Sequence, residues 1–276
     1  MTTKHRMTDA TDAQHNHRHL VLLHGWGMNS AVWDDLAGDL PPGVIPCPID
    51  LPGHGDRPFS PPLGDLWAWA DACLEAAPER AIWLGWSLGA LVALAAAVRA
   101  PKRVEGLILM TGTPRFVRAA DWMPAMLPAT LDQFHAGLLA DPAETLTRFL
   151  ALQVRGSDDA RETLRGLRRR IAERPQPDSD ALSIGLDILR DEDMRGRLPD
   201  IRCPTLWIFG THDTLVPPAV AERVEILMPG AVTAIVRGAA HAPHLSHPDR
   251  IRELVRNVLA RIEDPGAGQS EVRTTP

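Results

Sequence analysis

The chain has 276 residues and a formal net charge of −6, and 45% of its residues are hydrophobic. This length supports one large core with room for an inserted lobe, and the composition is that of a globular protein. The chain has no apolar stretch of about 18 residues, so we expect no transmembrane helix and no membrane partner. Its three cysteines, Cys47, Cys73 and Cys203, are far apart, which argues against a disulfide framework and fits a cytoplasmic protein.

Both ends of the chain are expected to be disordered. Residues 1–18 are polar and contain no apolar segment, which excludes a secretory signal. The tail, residues 264–276, is rich in Gly, Ser, Thr and Pro, a composition that cannot bury a core. The folded part is therefore expected between residues 19 and 263.

Apolar runs alternate with helical patterns along the folded part, which predicts an α/β fold with a mostly parallel sheet and helices on both faces. The predicted strands are 19–24, 44–49, 81–85, 104–110, 205–210 and 232–236. The predicted helices around them are 33–40, 66–77, 88–99 and 248–262. Between residues 114 and 193 the pattern instead predicts four helices, 128–139, 142–153, 158–173 and 178–190. We expect residues 114–193 to form a helical cap, inserted between core segments 19–113 and 194–263, over the carboxyl ends of the strands.

The first predicted strand runs directly into the turn His24-Gly25-Trp26-Gly27. Glycines at a strand end let the backbone approach a bound substrate closely. When a serine nucleophile follows a later strand, a loop in this position supplies one backbone N–H to an oxyanion hole. We therefore expect the N–H of Trp26 to be an oxyanion donor, the alternative being that His24 and Trp26 only pack the loop.

The third predicted strand ends in Gly85-Trp86-Ser87-Leu88-Gly89, and a helix follows. A G-x-S-x-G pattern between a strand and a helix is typical of a nucleophile elbow, which exposes a serine hydroxyl at the carboxyl end of a parallel sheet. The turn is tight, so a Cβ at either glycine would meet the neighbouring strand or helix. Ser87 is the candidate nucleophile, and the N–H of Leu88 is the second candidate oxyanion donor.

The predicted cap carries a concentration of positive charge. Residues 148–174 contain four acidic residues and eight arginines, namely Arg148, Arg155, Arg161, Arg165, Arg168, Arg169, Arg170 and Arg174. Arg161 and Arg165 share one helix face with Arg168 or Arg169. Such a run is by default a solvated face, and the functional alternative is a docking patch for an acidic protein. Nucleic acid is disfavoured because no aromatic residues interleave the arginines and the chain as a whole is acidic.

Two residues that could activate Ser87 follow the last two predicted strands. Asp213 lies in the loop after residues 205–210, and His241 lies in Gly-Ala-Ala-His-Ala-Pro after residues 232–236. A serine hydroxyl becomes a strong nucleophile only when a base accepts its proton. The order Ser, Asp, His, each residue after its own strand, is the order of the triad that uses a nucleophile elbow.

His241, His244 and His247 form an H-x-x-H-x-x-H series. Pro243 and Pro248 interrupt any continuous helical face through them, and no cysteine has a metal-ligand spacing. We expect no metal and no cofactor.

Together these motifs resemble the α/β-hydrolase superfamily and, in detail, the pimeloyl-[acyl-carrier protein] methyl ester esterase (BioH) family. The resembling stretches extend over nearly the whole folded part: LVLLHGW at 20–26, AIWLGWSLG at 81–89, RFLALQ at 148–153, IL at 188–189, AAHAP at 239–243 and SHP at 246–248. The Trp of Gly-Trp-Ser-Leu-Gly and the Phe-Leu-Ala-Leu-Gln segment are more specific than the general fold motifs.

The resemblance implies an α/β-hydrolase fold and a cofactor-free carboxylic ester hydrolase. Its substrate would be an acyl-carrier protein bearing a pimeloyl methyl ester, which it would cleave to methanol and a free carboxylate in biotin synthesis. Ser87 would be the nucleophile, Asp213 the acid and His241 the base, with Trp26 and Leu88 at the oxyanion site.

The resemblance also implies roles for residues in the cap. Substrate contacts would come from Phe149, Leu150, Ala151, Leu152 and Gln153. Carrier-protein docking would use Arg148, Arg155, Arg161 and Arg165. The chain departs from the family in three places: Glu144 replaces an arginine, Ala90 replaces a common glycine, and the start of the chain is polar where the superfamily has its first strands.

Several functions are compatible with the same residues. A general short-chain carboxylesterase, the main alternative, would use the same triad under a cap of different specificity, and a carbon–carbon bond hydrolase also shares the triad. Haloalkane dehalogenase chemistry is disfavoured because the nucleophile position is Ser87 and not an aspartate. A non-catalytic ligand receptor and a pure carrier-protein binding module stay open as well. We expect a monomer.

Overall fold

The computed structural model describes residues 17–60 and 63–263. The segments expected to be disordered lie almost entirely outside this range, as residues 1–16 and 264–276. Arg18, which falls in the first of these segments, is instead the first residue of a strand. No helix in the described range is long and apolar enough to cross a membrane.

The core of the protein is one parallel sheet of six strands: β1 (Arg18–Leu23), β2 (Val44–Ile49), β3 (Ala81–Trp86), β4 (Val104–Met110), β5 (Thr205–Gly210) and β6 (Val232–Val236). Their order in the sheet is β2-β1-β3-β4-β5-β6, and every neighbouring pair is parallel. All residues of β3 and β5 are buried, as expected for strands that helices cover on both faces. The strand order reverses between β1 and β3, which is where open parallel sheets bind ligands. The predicted α/β class with a parallel central sheet is confirmed.

The helices are α1 (Asp34–Gly38), α2 (Leu66–Ala76), α3 (Leu88–Arg99), α4 (Pro128–Ala140), α5 (Pro142–Val154), α6 (Ala160–Ala172), α7 (Ser179–Asp191), α8 (Val220–Leu227), α9 (Pro243–Ser246) and α10 (Pro248–Glu263). The helix predicted for residues 33–40 is confirmed over Asp34–Gly38 and is shorter than predicted at both ends. A 3₁₀ helix, Ser30–Trp33, comes first because the Asn29 side chain accepts a hydrogen bond from Ala31 N–H. Pro41 and Pro42 then disfavour helix in the residues before them. The short helices α8 and α9 were not predicted.

Helices α4 to α7 lie between β4 and β5 in the chain and pack on one another, α4 on α5 and α7, and α5 on α6. Helix α6 packs on α9 and on the 3₁₀ helix, and α5 and α7 contact Trp26 in the loop after β1. Asn29 Nδ2 donates to Ile171 O at 3.0 Å. Arg170 pairs with Asp35 across the same boundary.

Glycines allow β1, β3 and α3 to touch backbone to backbone. A Cβ at Gly85 would lie 2.2 Å from Gly89 O, and a Cβ at Gly89 would lie 2.5 Å from His24 O. Gly112 plays a similar part for Ala90, because a Cβ at Gly112 would lie 2.5 Å from the Ala90 Cβ. The absent side chain at Gly112 therefore makes room for Ala90.

Two buried histidines hold the loops after β1 and β2 together. Nε2 of His24 accepts from Leu51 N–H at 3.0 Å, and Nε2 of His54 accepts from Gly27 N–H at 3.3 Å. In each ring Nδ1 faces a nearby carbonyl oxygen, to which it donates in the neutral form. Burial lowers the pKa of His24 to about 4 and the pKa of His54 to about 3. His24 therefore packs the loop that contains Trp26.

Replacing Gly89 by alanine should lower the free energy of unfolding by about 3 kcal/mol, because the new Cβ meets fixed backbone atoms. Gly38→Ala is a matched control, since a Cβ there meets nothing within 4 Å, and it should change stability by about 0.5 kcal/mol or less. Urea unfolding of the two variants tests this. Equal stability of both variants would contradict the close packing described here.

Stability should fall as the pH drops below about 6.5, because the unfolded histidines then bind protons that buried His24 and His54 do not bind. Each imidazole, with a folded pKa of about 4 or about 3, should cost about 2 kcal/mol of stability between pH 7 and pH 5. A His54→Gln variant should therefore lose about 2 kcal/mol less over this interval than wild type. Urea unfolding at both pH values measures the difference, and parallel losses would rule out His54 as a source.

Candidate active site

Ser87 occupies a strained turn between β3 and α3. Its backbone has φ 56° and ψ −116°, in a region that non-glycine residues rarely adopt. The Ser87 N–H donates to Met110 O, at the end of β4, at 3.0 Å. A Cβ at Gly25 would lie 3.3 Å from the Ser87 Cβ. The strained turn and the close β1 loop together place the serine at the reversal point of the sheet.

Ser87, His241 and Asp213 form a continuous chain of hydrogen bonds. Ser87 Oγ lies 2.9 Å from His241 Nε2, and His241 Nδ1 lies 2.7 Å from Asp213 Oδ2. With a neutral ring, Ser87 donates to Nε2 and Nδ1–H donates to the carboxylate. This geometry permits His241 to accept the serine proton.

The Asp213 carboxylate is held from both sides. Its Oδ1 accepts the N–H groups of Leu215 and Val216, each at 2.9 Å, while Oδ2 faces His241. The side chain is fully buried. Asp213 therefore presents one oxygen to the imidazole in a fixed direction.

Trp26 and Leu88, the predicted oxyanion donors, flank the serine. Leu88 is the first residue of α3, and the first N–H groups of a helix have no acceptor within it. The Trp26 indole is fully buried and donates through Nε1 to Leu182 O on α7 at 2.8 Å. Gly185 admits this indole, since a Cβ there would lie 2.7 Å from Trp26 Cδ1. Helix α7 thus fixes the side chain of the residue predicted to supply the oxyanion amide.

Helix α5 contributes the predicted substrate-contacting segment, whose residues face different ways. Phe149 is buried, with its ring 4.7 Å from Trp26 in an edge-to-face contact. Leu150 is buried and Leu152 is half-buried, whereas Ala151 is exposed. Phe149 and Leu150 are therefore the apolar members of the segment that face the interior.

Gln153 lies at the end of the same segment, directly against the catalytic loop. Its carbonyl oxygen accepts from His241 N–H at 3.0 Å. Its side chain is fully buried, and neither its Nε2 nor its Oε1 has a hydrogen-bond partner in the described part of the chain. Gln153 therefore has free hydrogen-bonding capacity close to His241.

The candidate site is closed in this structure. Ser87 and His241 are each 1% exposed, and Trp26 is not exposed at all. Trp26 is itself covered by α5 and α7, through its contacts with Phe149 and Leu182. Access of a substrate to the Ser87 hydroxyl therefore requires residues around the site to move.

The cap arginines divide into two groups. Arg170 pairs with Asp35 on α1, and Arg174 lies 3.6 Å from Asp56 in the loop after β2, so both tie α6 and the residues after it to the core. The predicted docking residues are all exposed, and none forms an ion pair with residues 17–60 or 63–263: Arg148, Arg155, Arg161 and Arg165. These four are available to an external partner.

The three histidines of the H-x-x-H-x-x-H series do not form one site. His241 belongs to the serine chain, and His247 Nδ1 lies 2.8 Å from Ser246 Oγ. His244 sits between the rings of Trp33 and Trp86, at 4.8 and 4.6 Å, where burial lowers its pKa to about 3. Within the described residues no hydrogen-bond partner reaches either nitrogen of His244.

Two side chains that hydrogen-bond to the His241 carbonyl oxygen were not predicted from the sequence. Trp86 Nε1 and Thr111 Oγ1 both donate to the His241 carbonyl oxygen, at 2.7 and 2.9 Å. A signal for Thr111 was present, since it directly follows β4 at the sheet edge where Ser87, Asp213 and His241 follow their own strands.

The Alpha/beta hydrolase family matches residues 20–254. The chain is 44% identical to the pimeloyl-[acyl-carrier protein] methyl ester esterase of Pectobacterium atrosepticum, over 86% of this chain and 92% of that protein. It is 42% identical to the protein of the same name from Stenotrophomonas maltophilia strain K279a, over 91% and 96% of the two chains.

Solved structures share the fold at lower identity. An esterase from Exiguobacterium antarcticum matches with a TM-score of 0.79 at 22% identity, over 88% of this chain and 92% of that one. The enol-lactonase from Burkholderia xenovorans LB400 matches with a TM-score of 0.78 at 20% identity, over 89% and 92% of the chains. These likenesses show the fold alone, whereas the sequence relatives show that this chain belongs to the pimeloyl-[acyl-carrier protein] methyl ester esterase family of alpha/beta hydrolases.

Proposed function

We propose that this protein is a serine carboxylesterase that cleaves the methyl ester of pimeloyl-acyl-carrier protein in biotin biosynthesis. The observation that carries the proposal is the hydrogen-bonded chain Ser87–His241–Asp213. It lies in a chain that is 44% identical to a protein named for this reaction. The products are methanol and pimeloyl-acyl-carrier protein with a free carboxylate.

The residues of the site have complementary roles in the two halves of the reaction. His241 accepts the Ser87 proton as Oγ attacks the ester carbonyl, and Asp213 orients the imidazole and stabilises its cation. The N–H groups of Trp26 and Leu88 hold the oxyanion of the tetrahedral intermediate. His241 then protonates the departing methanol. A water molecule that gives its proton to His241 cleaves the acyl-enzyme, and the same proton returns to Ser87.

The inward side of α5 supports recognition of an acyl chain. Phe149 and Leu150 are apolar and buried, and Phe149 contacts Trp26, so both can contact methylene groups when the cap opens. Leu152 is half-buried and can contribute at the edge. Gln153 can hydrogen-bond a polar group of the substrate, because its side chain has no partner among the described residues. Exposed Ala151 is a poor candidate for substrate contact.

The outward side of the cap supports docking of an acidic carrier protein. Arg148, Arg155, Arg161 and Arg165 are exposed and concentrate positive charge on a chain of net charge −6. Charge of this kind steers an acidic partner toward one face. Glu144, which replaces a family arginine, reduces the charge at one end of this patch.

We also propose that the protein is a cytoplasmic monomer. Cys47, Cys73 and Cys203 are free thiols, which agrees with a reducing compartment. Every hydrogen bond that links Ser87, His241 and Asp213 is made within one chain, so the reaction needs no residue from a second subunit.

Ser87→Ala should reduce methanol release from pimeloyl-acyl-carrier protein methyl ester by at least about 10³-fold, because the covalent route is lost. The rate of methanol release under saturating substrate measures this, and fluorophosphonate labelling of wild type but not of the variant confirms the nucleophile. Wild type that cleaves small esters but leaves the carrier-bound ester intact would replace the proposal by a general short-chain carboxylesterase. Release that persists in the variant would refute Ser87 as the nucleophile.

The double variant Arg161→Glu/Arg165→Glu should lower kcat/KM for the carrier-bound ester by about tenfold or more and leave a small soluble ester unaffected, because the charges steer only the acidic partner. Arg223→Glu/Arg256→Glu is the matched control, since it reverses two exposed charges on α8 and α10, outside the cap. Equal losses on both esters would refute docking. Unchanged rates on both would identify a solvated face.

A further inference from the structure

The loops that carry the three triad residues converge on the end of β4. Ser87 N–H donates to Met110 O at 3.0 Å, and Thr111 N–H donates to Ile208 O on β5 at 2.7 Å. The Thr111 hydroxyl donates to the His241 carbonyl oxygen at 2.9 Å. Met110 and Thr111 therefore contact three segments of the site. These are β5, which leads to Asp213, the turn of Ser87 and the loop of His241.

The His241 backbone is held at both its polar groups. Its carbonyl oxygen accepts two donors, the Thr111 hydroxyl and the Trp86 indole N–H at 2.7 Å, which occupies both lone pairs. Its N–H donates to Gln153 O at 3.0 Å. These three hydrogen bonds act on His241 itself, whereas the hydrogen bond from His212 N–H to Ala239 O at 2.9 Å holds the same loop two residues earlier.

Thr111 makes its hydrogen bond from an unfavourable backbone conformation. Ser87 and Thr111, with φ of 56° and 42°, are the non-glycine residues with positive φ in the described ranges. A β-branched residue is a clear outlier there, and strain of this kind persists where surrounding contacts over-determine it, often at active sites. Glycine would adopt the same φ without strain, but it has no hydroxyl to donate.

We propose that Thr111 is a positioning residue for the proposed base: its hydroxyl, with the Trp86 indole, holds the His241 carbonyl and so aims Nε2 at Ser87. The inference rests on the proposed function, because it acts through His241. Asp213 orients the ring through Nδ1, but it cannot fix where the backbone of His241 stands. Thr111 and Trp86 supply that second constraint from β4 and β3.

The test compares Thr111→Val, which keeps the branched shape and loses the hydroxyl, with Thr111→Ser, which keeps the hydroxyl. The substrate is p-nitrophenyl butyrate, which needs no carrier protein. Thr111→Val should lower kcat about tenfold with KM changed less than about twofold, because small displacements of a catalytic group mainly lower the rate of the chemical step. Thr111→Ser should stay within about threefold of wild type, and fluorophosphonate labelling should slow in step with kcat.

Trp86→Phe provides an independent second variant, since it removes the other donor and keeps an aromatic ring against His244. It should also lower kcat about tenfold. If Thr111→Val does not fold, the kcat of Trp86→Phe tests whether the hydrogen bonds to the His241 carbonyl position the base. The inference is overturned if folded Thr111→Val keeps wild-type kcat, or if the valine and serine variants lose activity equally. Ser87→Ala is measured alongside. If it stays active, the proposed function fails. If it is inactive while Thr111→Val is fully active, only the role of Thr111 is refuted.

Discussion

The His241 imidazole must hydrogen-bond to Ser87 and Asp213 at the same time, and this requirement constrains how the sheet positions the loops of all three residues. His241 Nε2 lies 2.9 Å from Ser87 Oγ while its Nδ1 lies 2.7 Å from Asp213 Oδ2. The three residues follow β3, β5 and β6, and hydrogen bonds tolerate displacements of only a few tenths of an ångström before they weaken. Three separate loops must therefore be positioned with side-chain accuracy by one sheet.

The sheet achieves this by bringing strand ends into backbone contact. A Cβ at Gly85 or Gly89 would collide with backbone atoms of the elbow or of β1, and a Cβ at Gly210 would lie 2.4 Å from Ala240 O. Residues without side chains at these points let the loops of Ser87 and His241 approach. Hydrogen bonds from the Trp86 and Thr111 side chains to the His241 carbonyl oxygen then hold the His241 loop in place.

The helical segment between β4 and β5 has two chemically different sides. Its inner side buries Phe149 on Trp26 and lets Gln153 accept a hydrogen bond from His241 N–H. Its outer side presents arginines that have no ion-pair partner among the described residues. The inner side is therefore part of the candidate site, whereas the outer side carries unpaired positive charge.

Local patterns were enough to predict the strands and to name the candidate triad residues. Buried parallel strands appear as short apolar runs, and Ser87, Asp213 and His241 each follow such a run. The helix predicted at 33–40 is shorter in the structure, Asp34–Gly38, because the Asn29 side chain caps a 3₁₀ helix before it and a proline pair follows Leu40. Ala151 shows the same limit, since a family segment does not reveal which of its residues face inward.

The residues that hydrogen-bond to the candidate triad could be identified only from the folded structure. Thr111 and His241 are 130 residues apart in the chain, and Trp26 and Leu182 are 156 apart. No periodicity relates such positions, because the contact exists only after the sheet has brought the strand ends together. The same holds for the arginines of the cap: Arg170 and Arg161 belong to one charged run, but folding places Arg170 against Asp35 and leaves Arg161 exposed.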